Sequence, residues 1–162
     1  MFVERKSGWT ILETMVAVVM IGIVAAAAVP NFGPMLEMMK LRTAAYNIQR
    51  SLVSARTRAI ADPNVHCGVY FPDSVNAYIF PDSASGTPYQ IDARDTTNIY
   101  LGRYKMPRNI WACSLSTSIA NRCIVFRGDG SAKTGGFVYI VNRYKKMKTI
   151  SVLATTGRIK VQ

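Results

Sequence analysis

One acidic side chain stands inside a long apolar stretch near the N-terminus. Residues 9–29 carry a single charge, that of Glu13. Placing a carboxylate in a hydrocarbon phase costs about 2.5–3.5 kcal/mol, so such a residue is expected to have a function. A charge that stays buried also needs an opposite charge beside it. Glu13 is therefore the first candidate functional residue.

The side chains that could support catalysis do not form a recognisable set. His66 and Cys67 are adjacent, and because neighbouring strand residues point to opposite faces they cannot act as a base and a nucleophile. Asp92 and Asp95 lie in a polar segment, and Asp129 lies between two glycines in a predicted turn. The sequence has one histidine, no Cys-x-x-Cys and no Gly-rich phosphate loop. We expect no enzyme activity, no metal site and no cofactor.

Three cysteines are compatible with an exported protein. Cys113 and Cys123 enclose nine residues, and a disulfide between them would add roughly 2–3 kcal/mol on the chain-entropy model. An oxidising periplasm would permit that bond, and two buried thiols are the alternative. Cys67 is predicted to be a small buried hydrophobic residue.

Positive charge is concentrated at the C-terminal end. The formal net charge is +11, and residues 103–162 hold twelve Lys/Arg against one Asp. This asymmetry suggests a polyanionic partner, either nucleic acid or anionic lipid. Solvated turn and edge charges, which discourage aggregation between strands, are the simpler interpretation. Four of these cations, Arg143, Lys145, Lys146 and Lys148, lie in one predicted turn.

A long helix is predicted over residues 9–61. Residues 9–29 would span roughly 31 Å as a helix, about the thickness of a bilayer hydrocarbon core. Pro30 and the Gly33-Pro34 pair should bend or loosen it, and the stretch 62–64 should end it. The second half is one-sided, which predicts packing on a sheet of the same domain. Its apolar stripe is Leu41, Ala45, Ile48, Leu52, Ala55 and Ala59.

The remainder is predicted to form strands and turns. Short β-type runs occupy residues 65–71, 77–80, 99–104 and 124–126. Residues 135–142 and 149–154 are predicted to form a hairpin around the basic turn 143–148, and 158–161 a last strand. Residues 82–95 are predicted to form an exposed loop.

The N-terminal stretch Gly8-Trp9-Thr10-Ile11-Leu12-Glu13 follows a short basic head. An ordinary membrane anchor explains the length but not Glu13, and an ordinary secretory signal, cut within 25–28, leaves Glu13 without a purpose. The stretch resembles the class III leader of type IV pilins and pseudopilins. That resemblance implies cleavage by prepilin peptidase between Gly8 and Trp9, N-methylation, and pairing of Glu13 with the N-terminal ammonium of a neighbouring subunit. Trp9 replaces the usual Phe, and Thr14 the usual Leu.

The C-terminal segments 126–131 and 156–161, with the helix end 52–60, are similar to the GspH/FimT group of minor pilins and pseudopilins. The fold implied is α+β, the type IV pilin fold, with a long N-terminal helix packed against an antiparallel sheet domain. The implied organisation is a leader at 1–8, a membrane or filament-core helix at 9–30 and a periplasmic head at 31–162.

Some FimT proteins bind DNA for natural transformation through a C-terminal Gly-Arg-x-Arg stretch. The matching residues here are Gly157, Arg158, Ile159 and Lys160. Lysine keeps the charge of the last arginine but loses its planar fork, so phosphate contacts would survive better than base contacts.

The resemblance implies a minor pilin of a type IV pilus, with a structural or assembly role and possible binding of double-stranded DNA. The alternative is an H-type pseudopilin of a type II secretion system without a DNA role. Expected partners are other pilins or pseudopilins, prepilin peptidase and the inner membrane, which the chain would cross once with its C-terminal domain in the periplasm.

Overall fold

The computed structural model describes residues 9–82, 101–115 and 122–162, with the side chains of 27–31 and 113–115 outside the described part. It divides into two compact units, residues up to Leu36 and residues from Glu37 onward.

One helix, α1 (Ile11–Ala61), accounts for 51 residues and confirms the predicted long N-terminal helix. The helical assignment continues through Pro30 and Pro34, and it stops immediately before Asp62. Asp62 then accepts hydrogen bonds from two later backbone amides, with its Oδ1 from Asn64 at 3.2 Å and its carbonyl from Val65 at 3.0 Å. This local turn leads the chain out of the helix, which ends where predicted.

Eight strands follow the helix and form two antiparallel sheets. They are β1 (His66–Tyr70), β2 (Asn76–Asp82), β3 (Gly102–Lys105), β4 (Ile110–Leu115), β5 (Cys123–Phe126), β6 (Gly136–Asn142), β7 (Met147–Val152) and β8 (Ile159–Val161). The first sheet has the order β3-β2-β1-β5, and the second has the order β4-β6-β7-β8. A single bridge from Phe126 to Ala132 follows β5.

The predicted strands correspond to β1, β2, β3, β5, β6, β7 and β8, with β7 starting two residues earlier than expected. Strand β4 was not predicted. It pairs with β6 across an irregularity between Ala112 and Ser114, and such a bulge breaks the strict alternation by which a strand is recognised in sequence. Most of the predicted exposed loop, residues 83–95, lies outside the described residues.

The core lies between the second half of α1 and the inner faces of the two sheets. All six residues of the predicted apolar stripe are buried, together with Ala44. They pack in one cluster with β-strand side chains such as Val69, Phe126, Ile140 and Ile150. Small residues on this helix face allow close approach of the backbones, which is why the amphipathic half of α1 is held by the sheets.

Candidate functional site

The start of α1 is organised around Thr10 and Glu13. The Thr10 side-chain oxygen accepts a hydrogen bond from the Glu13 amide at 3.3 Å, which is the geometry of a helix N-cap. The sequence Thr10-x-x-Glu13 has the residue types of a capping box. Glu13 and Trp9 are both exposed, and Gly8 lies outside the described residues. The cleavage and pairing predictions for Gly8, Trp9 and Glu13 therefore remain predictions.

The helix beyond Glu13 exposes apolar side chains on every side. Within the unit that ends at Leu36, large hydrophobic residues between positions 11 and 24 keep roughly half to four fifths of their surface exposed. A helix that is apolar all round is normally covered by protein or lipid. In the described part of the chain, no helical segment combines the length and hydropathy of a membrane span. The exposed residues are Ile11, Leu12, Met15, Val16, Val18, Val19, Met20, Ile21, Ile23 and Val24.

The predicted basic turn joins β6 to β7 and is built on Asn142. This residue is 1% exposed, and its Oδ1 accepts hydrogen bonds from the amides of Tyr144 at 3.0 Å and Lys146 at 2.9 Å. Lys145 adopts a left-handed conformation with φ of 58°. The buried amide thus fixes a tight turn from which Arg143, Lys145 and Lys146 project into solvent. We call these three residues the turn cluster.

Lys148 does not belong to that turn. It lies within β7, opposite Ile140, and therefore has the same inward orientation as Ile150 two residues later. Its side chain lines a cavity beside α1 with Arg42, Tyr46 and Val161. The prediction that Lys148 lies in the turn is wrong, because it belongs to β7 and strand alternation directs its side chain towards the helix.

The Gly157 loop is held by a residue that sequence reasoning did not select. The Arg56 guanidinium donates a hydrogen bond from Nε to the Gly130 carbonyl at 2.9 Å and one from Nη2 to the Thr156 carbonyl at 3.0 Å. Gly157 has a φ of 60°, and a Cβ there would overlap the Gly130 carbonyl oxygen. Arg56 therefore fixes the loop that presents Arg158.

Arg158 and Lys160 line an open groove of about 550 Å³ at the far end of the second sheet. The groove is formed where β6 begins and β7 ends, and its other lining residues include Phe137, Ser151 and Leu153. Both cations are exposed. We call Arg158 and Lys160 the groove cluster.

Five of the six predicted binding residues, all except Lys148, are thus divided between two ends of one sheet. Ser151 pairs with Lys160, whereas Met147 adjoins the turn cluster. Met147 and Ser151 are four residue steps apart along β7, which corresponds to about 13 Å. The structure brings together Arg143, Lys145 and Lys146 at one end and Arg158 and Lys160 at the other.

The cysteine predictions have separate outcomes. Cys67 is 1% exposed, its thiol donates to the Phe80 carbonyl at 3.2 Å, and burial raises its pKa to about 11. It is the buried small residue that was predicted. The Cys113 side chain lies outside the described residues, so the Cys113–Cys123 disulfide remains a prediction. No group of three or more potential metal-binding side chains occurs among the residues that the structure describes.

A further polar contact joins α1 to the turn before β4. Glu37 accepts hydrogen bonds from Lys40 Nζ at 2.9 Å and from Asn109 Nδ2 at 3.3 Å. The bond from Lys40 is the main cause that holds the Glu37 pKa below its ordinary value, with smaller lowering contributions from Asn109 and the charge of Arg143 against the opposing effect of burial. The sequence contains no pattern that predicts this contact, because Asn109 lies 72 residues from Glu37 along the chain.

Comparisons with known proteins place the fold. The sequence matches no protein-family model, and it matches no curated protein sequence at a significant level. The structure is similar to the type IV minor pilin FimU of Pseudomonas aeruginosa, with a TM-score of 0.58 and 18% identity, covering 80% of this chain and 92% of that chain. It is also similar to the minor pseudopilin EpsH from the type 2 secretion system of Vibrio cholerae, with a TM-score of 0.52 and 11% identity, covering 76% of this chain and 96% of that chain.

These two structures share with the present chain an N-terminal helix packed on an antiparallel β-sheet domain. The predicted α+β class and the predicted architecture are confirmed. The chain has the type IV pilin-like fold, the fold of minor pilins and minor pseudopilins.

Proposed function

We propose that this protein is a minor subunit of a type IV pilus or of a related pseudopilus. The observation that carries this proposal is the exposed apolar first half of α1 next to a head with the pilin-like fold. Exposed apolar side chains of this number are covered in the working state of a protein. Lipid would cover them before assembly, and the helices of neighbouring subunits would cover them in the filament.

The proposed maturation begins with cleavage by prepilin peptidase between Gly8 and Trp9, followed by methylation of the new N-terminus. Glu13 then becomes the fifth residue. Its carboxylate pairs with the terminal ammonium of a neighbouring subunit, which offsets the cost of burying either charge alone. Residues 9–30 cross the inner membrane before assembly, and the head lies in the periplasm.

The residue type of Glu13 also suits the third position of a capping box, and this local role must be separated from pairing. Glutamate and glutamine both serve at the third position of a capping box, whereas only glutamate carries a charge. Glu13→Gln should therefore retain the helix start and lose assembly. We expect its recovery in sheared filaments to fall at least about tenfold, the effect of roughly 1.4 kcal/mol.

The measurement is immunoblotting of sheared filaments and of membranes from cells that produce each variant. Glu13→Asp, which keeps the charge on a shorter side chain, is the matched control and should be recovered better than Glu13→Gln. Normal incorporation of Glu13→Gln would restrict Glu13 to capping and would remove the pairing step.

A second function, binding of double-stranded DNA, is favoured by the two exposed cation clusters on the second sheet. Both clusters belong to the C-terminal part of the chain, residues 103–162, which holds twelve Lys/Arg against one Asp. Phosphate contacts release counterions, so affinity should fall steeply with salt. Reversing Lys145 and Lys146 to glutamate should remove two such contacts and should reduce the magnitude of the salt slope by about 2. Arg158→Glu should add to the loss.

A mobility-shift titration of the full chain in nonionic detergent measures this effect. Reversal of Arg103 and Lys105, both exposed on β3 of the first sheet, makes the same change in net charge away from the clusters and should alter affinity less. Absence of a shift at low salt would end the DNA-binding proposal and leave the structural role of a minor pilin or pseudopilin intact.

A further inference from the structure

The outer face of the second sheet carries aromatic and apolar side chains in place of the polar ones that a solvent-exposed face usually has. Val138, Ile140 and Ile150 point into the core, so the residues that alternate with them point outward. The strand register arranges these outward residues in three rows. The rows are Phe137, Ser151 and Lys160 at the groove end, Tyr139 and Thr149 in the middle, and Trp111, Val141 and Met147 at the turn end.

Two aromatic side chains on this face are exposed, and Tyr139 in the middle row is half-buried. Phe137 is 44% exposed and Trp111 is 41% exposed. The Phe137 and Tyr139 rings lie 6.1 Å apart at an interplanar angle of 27°, so they form two adjoining flat surfaces. Leu153 and Met147 extend the apolar area at either end, since both are more than half exposed. We call this surface the aromatic face.

The aromatic face lies between the two cation clusters. Lys160 shares a row with Phe137 across two strand spacings, about 10 Å, and Arg158 lines the same groove. The turn cluster immediately follows β6 and borders the row of Val141 and Met147. A polyanion that contacts both clusters therefore runs along the strands beside the rings of Phe137 and Tyr139.

We infer that the aromatic face binds single-stranded DNA, with bases stacked on Phe137 and Tyr139 and phosphates held by the two clusters. This inference rests on the proposed DNA-binding function and specifies its ligand. A duplex keeps its bases stacked on one another and offers phosphates and groove edges. A single strand can place its bases on aromatic rings while its backbone follows positive charge. A single strand can therefore use both the aromatic rings and the cations of this surface, whereas a duplex uses the cations.

The test compares two probes on the full chain in nonionic detergent. The first is a fluorescein-labelled strand of about 20 nucleotides, and the second is the same strand annealed to its complement. Fluorescence anisotropy at about 0.15 M salt limits the purely electrostatic contribution. We expect the single strand to bind at least as tightly as the duplex, although the duplex carries twice the phosphates.

Phe137→Ala should weaken binding of the single strand by about 5- to 150-fold, the effect of removing one stacking platform, and should change duplex binding by less than about twofold. Phe137→Trp should restore the affinity. Tyr46→Ala removes an exposed aromatic residue from α1 and serves as the matched control, with no expected effect. Circular dichroism of each variant verifies that the head is folded.

A separate readout uses Trp111, since the chain has two tryptophans. In a Trp9→Phe background, the single strand should quench Trp111 emission. Duplex binding together with a single-strand affinity that Phe137→Ala leaves unchanged would overturn this inference and retain the proposed DNA function. Binding of neither probe would overturn both, and would favour another protein subunit as the occupant of the aromatic face.

Discussion

At the scale of single residues, the loop that follows β7 depends on Gly157. Its φ of 60° lies in the left-handed region, and its Cα faces the Gly130 carbonyl, which also accepts the Arg56 Nε hydrogen. The Gly157 amide donates to the Leu153 carbonyl at 2.8 Å. The backbone at Gly157 therefore lies too close to the backbone at Gly130 for a side chain to fit between them. This close contact positions the groove cluster.

Gly157→Ala should destabilise the head by about 2–4 kcal/mol, because the added Cβ combines an unfavourable φ with a backbone overlap. Urea denaturation of the detergent-solubilised protein measures the loss as a lower midpoint. Gly102→Ala is the matched control. A Cβ there would meet mainly the flexible end of Ile79 at 3.2 Å, so a small change is expected. Equal midpoints for the two variants would contradict this account of the loop.

Residue types alone predicted some of these roles and missed others. The cations at 143, 145 and 146 were selected because they cluster in a predicted turn, and those at 158 and 160 because they match the Gly-Arg-x-Arg stretch of the FimT group. Arg56 was not, since a helical arginine beside an apolar stripe usually faces solvent. Its two carbonyl partners lie 74 and 100 residues away, and only the tertiary structure brings them together.

At the scale of elements, periodicity predicted the elements with regular patterns. The apolar stripe, whose residues recur in steps of three and four, predicted the buried face of α1. The predicted hairpin located β6 and β7. Strand β4 was not predicted, because its bulge interrupts the alternation of inward and outward side chains. Strand β6 is apolar at every position from 137 to 141, a pattern of strands covered on both faces, whereas here only the inner face is covered.

The contact between α1 and the turn before β4 gives a pH-dependent prediction. The pKa of Glu37 is lower in the folded head than its ordinary value of 4.5. The stabilisation by its charged form is therefore present above the unfolded-state pKa and is lost as pH falls through the folded-state pKa. Glu37→Gln should lower stability by about 1 kcal/mol at neutral pH, and this difference should shrink below pH of about 4.

Thermal unfolding of the wild type and Glu37→Gln across pH checks this expectation. Arg50→Gln offers a comparison on the same helix, because Arg50 is exposed and its removal should give a difference that does not follow carboxylate titration. A difference between wild type and Glu37→Gln that is constant from pH 7 to acid would contradict the role of the charged carboxylate.

At the scale of the whole molecule, the chain consists of an apolar helical segment and a head whose C-terminal part is strongly basic. Composition predicted that asymmetry, since residues 103–162 hold twelve Lys/Arg and one Asp. It did not predict the division into a turn cluster and a groove cluster. Strand register decides that division, because it places Lys148 inward and Lys160 outward.

The exposed apolar segment underlies the proposed role of the whole chain, because exposed apolar surface of this kind is normally covered by lipid or by protein. Mass spectrometry of the protein recovered from filaments of its host tests this most directly. We expect a chain that begins with N-methylated Trp9 and retains Glu13 as its fifth residue. A chain that begins after the alanines at 25–28 would lack Glu13, and would contradict the proposed filament subunit.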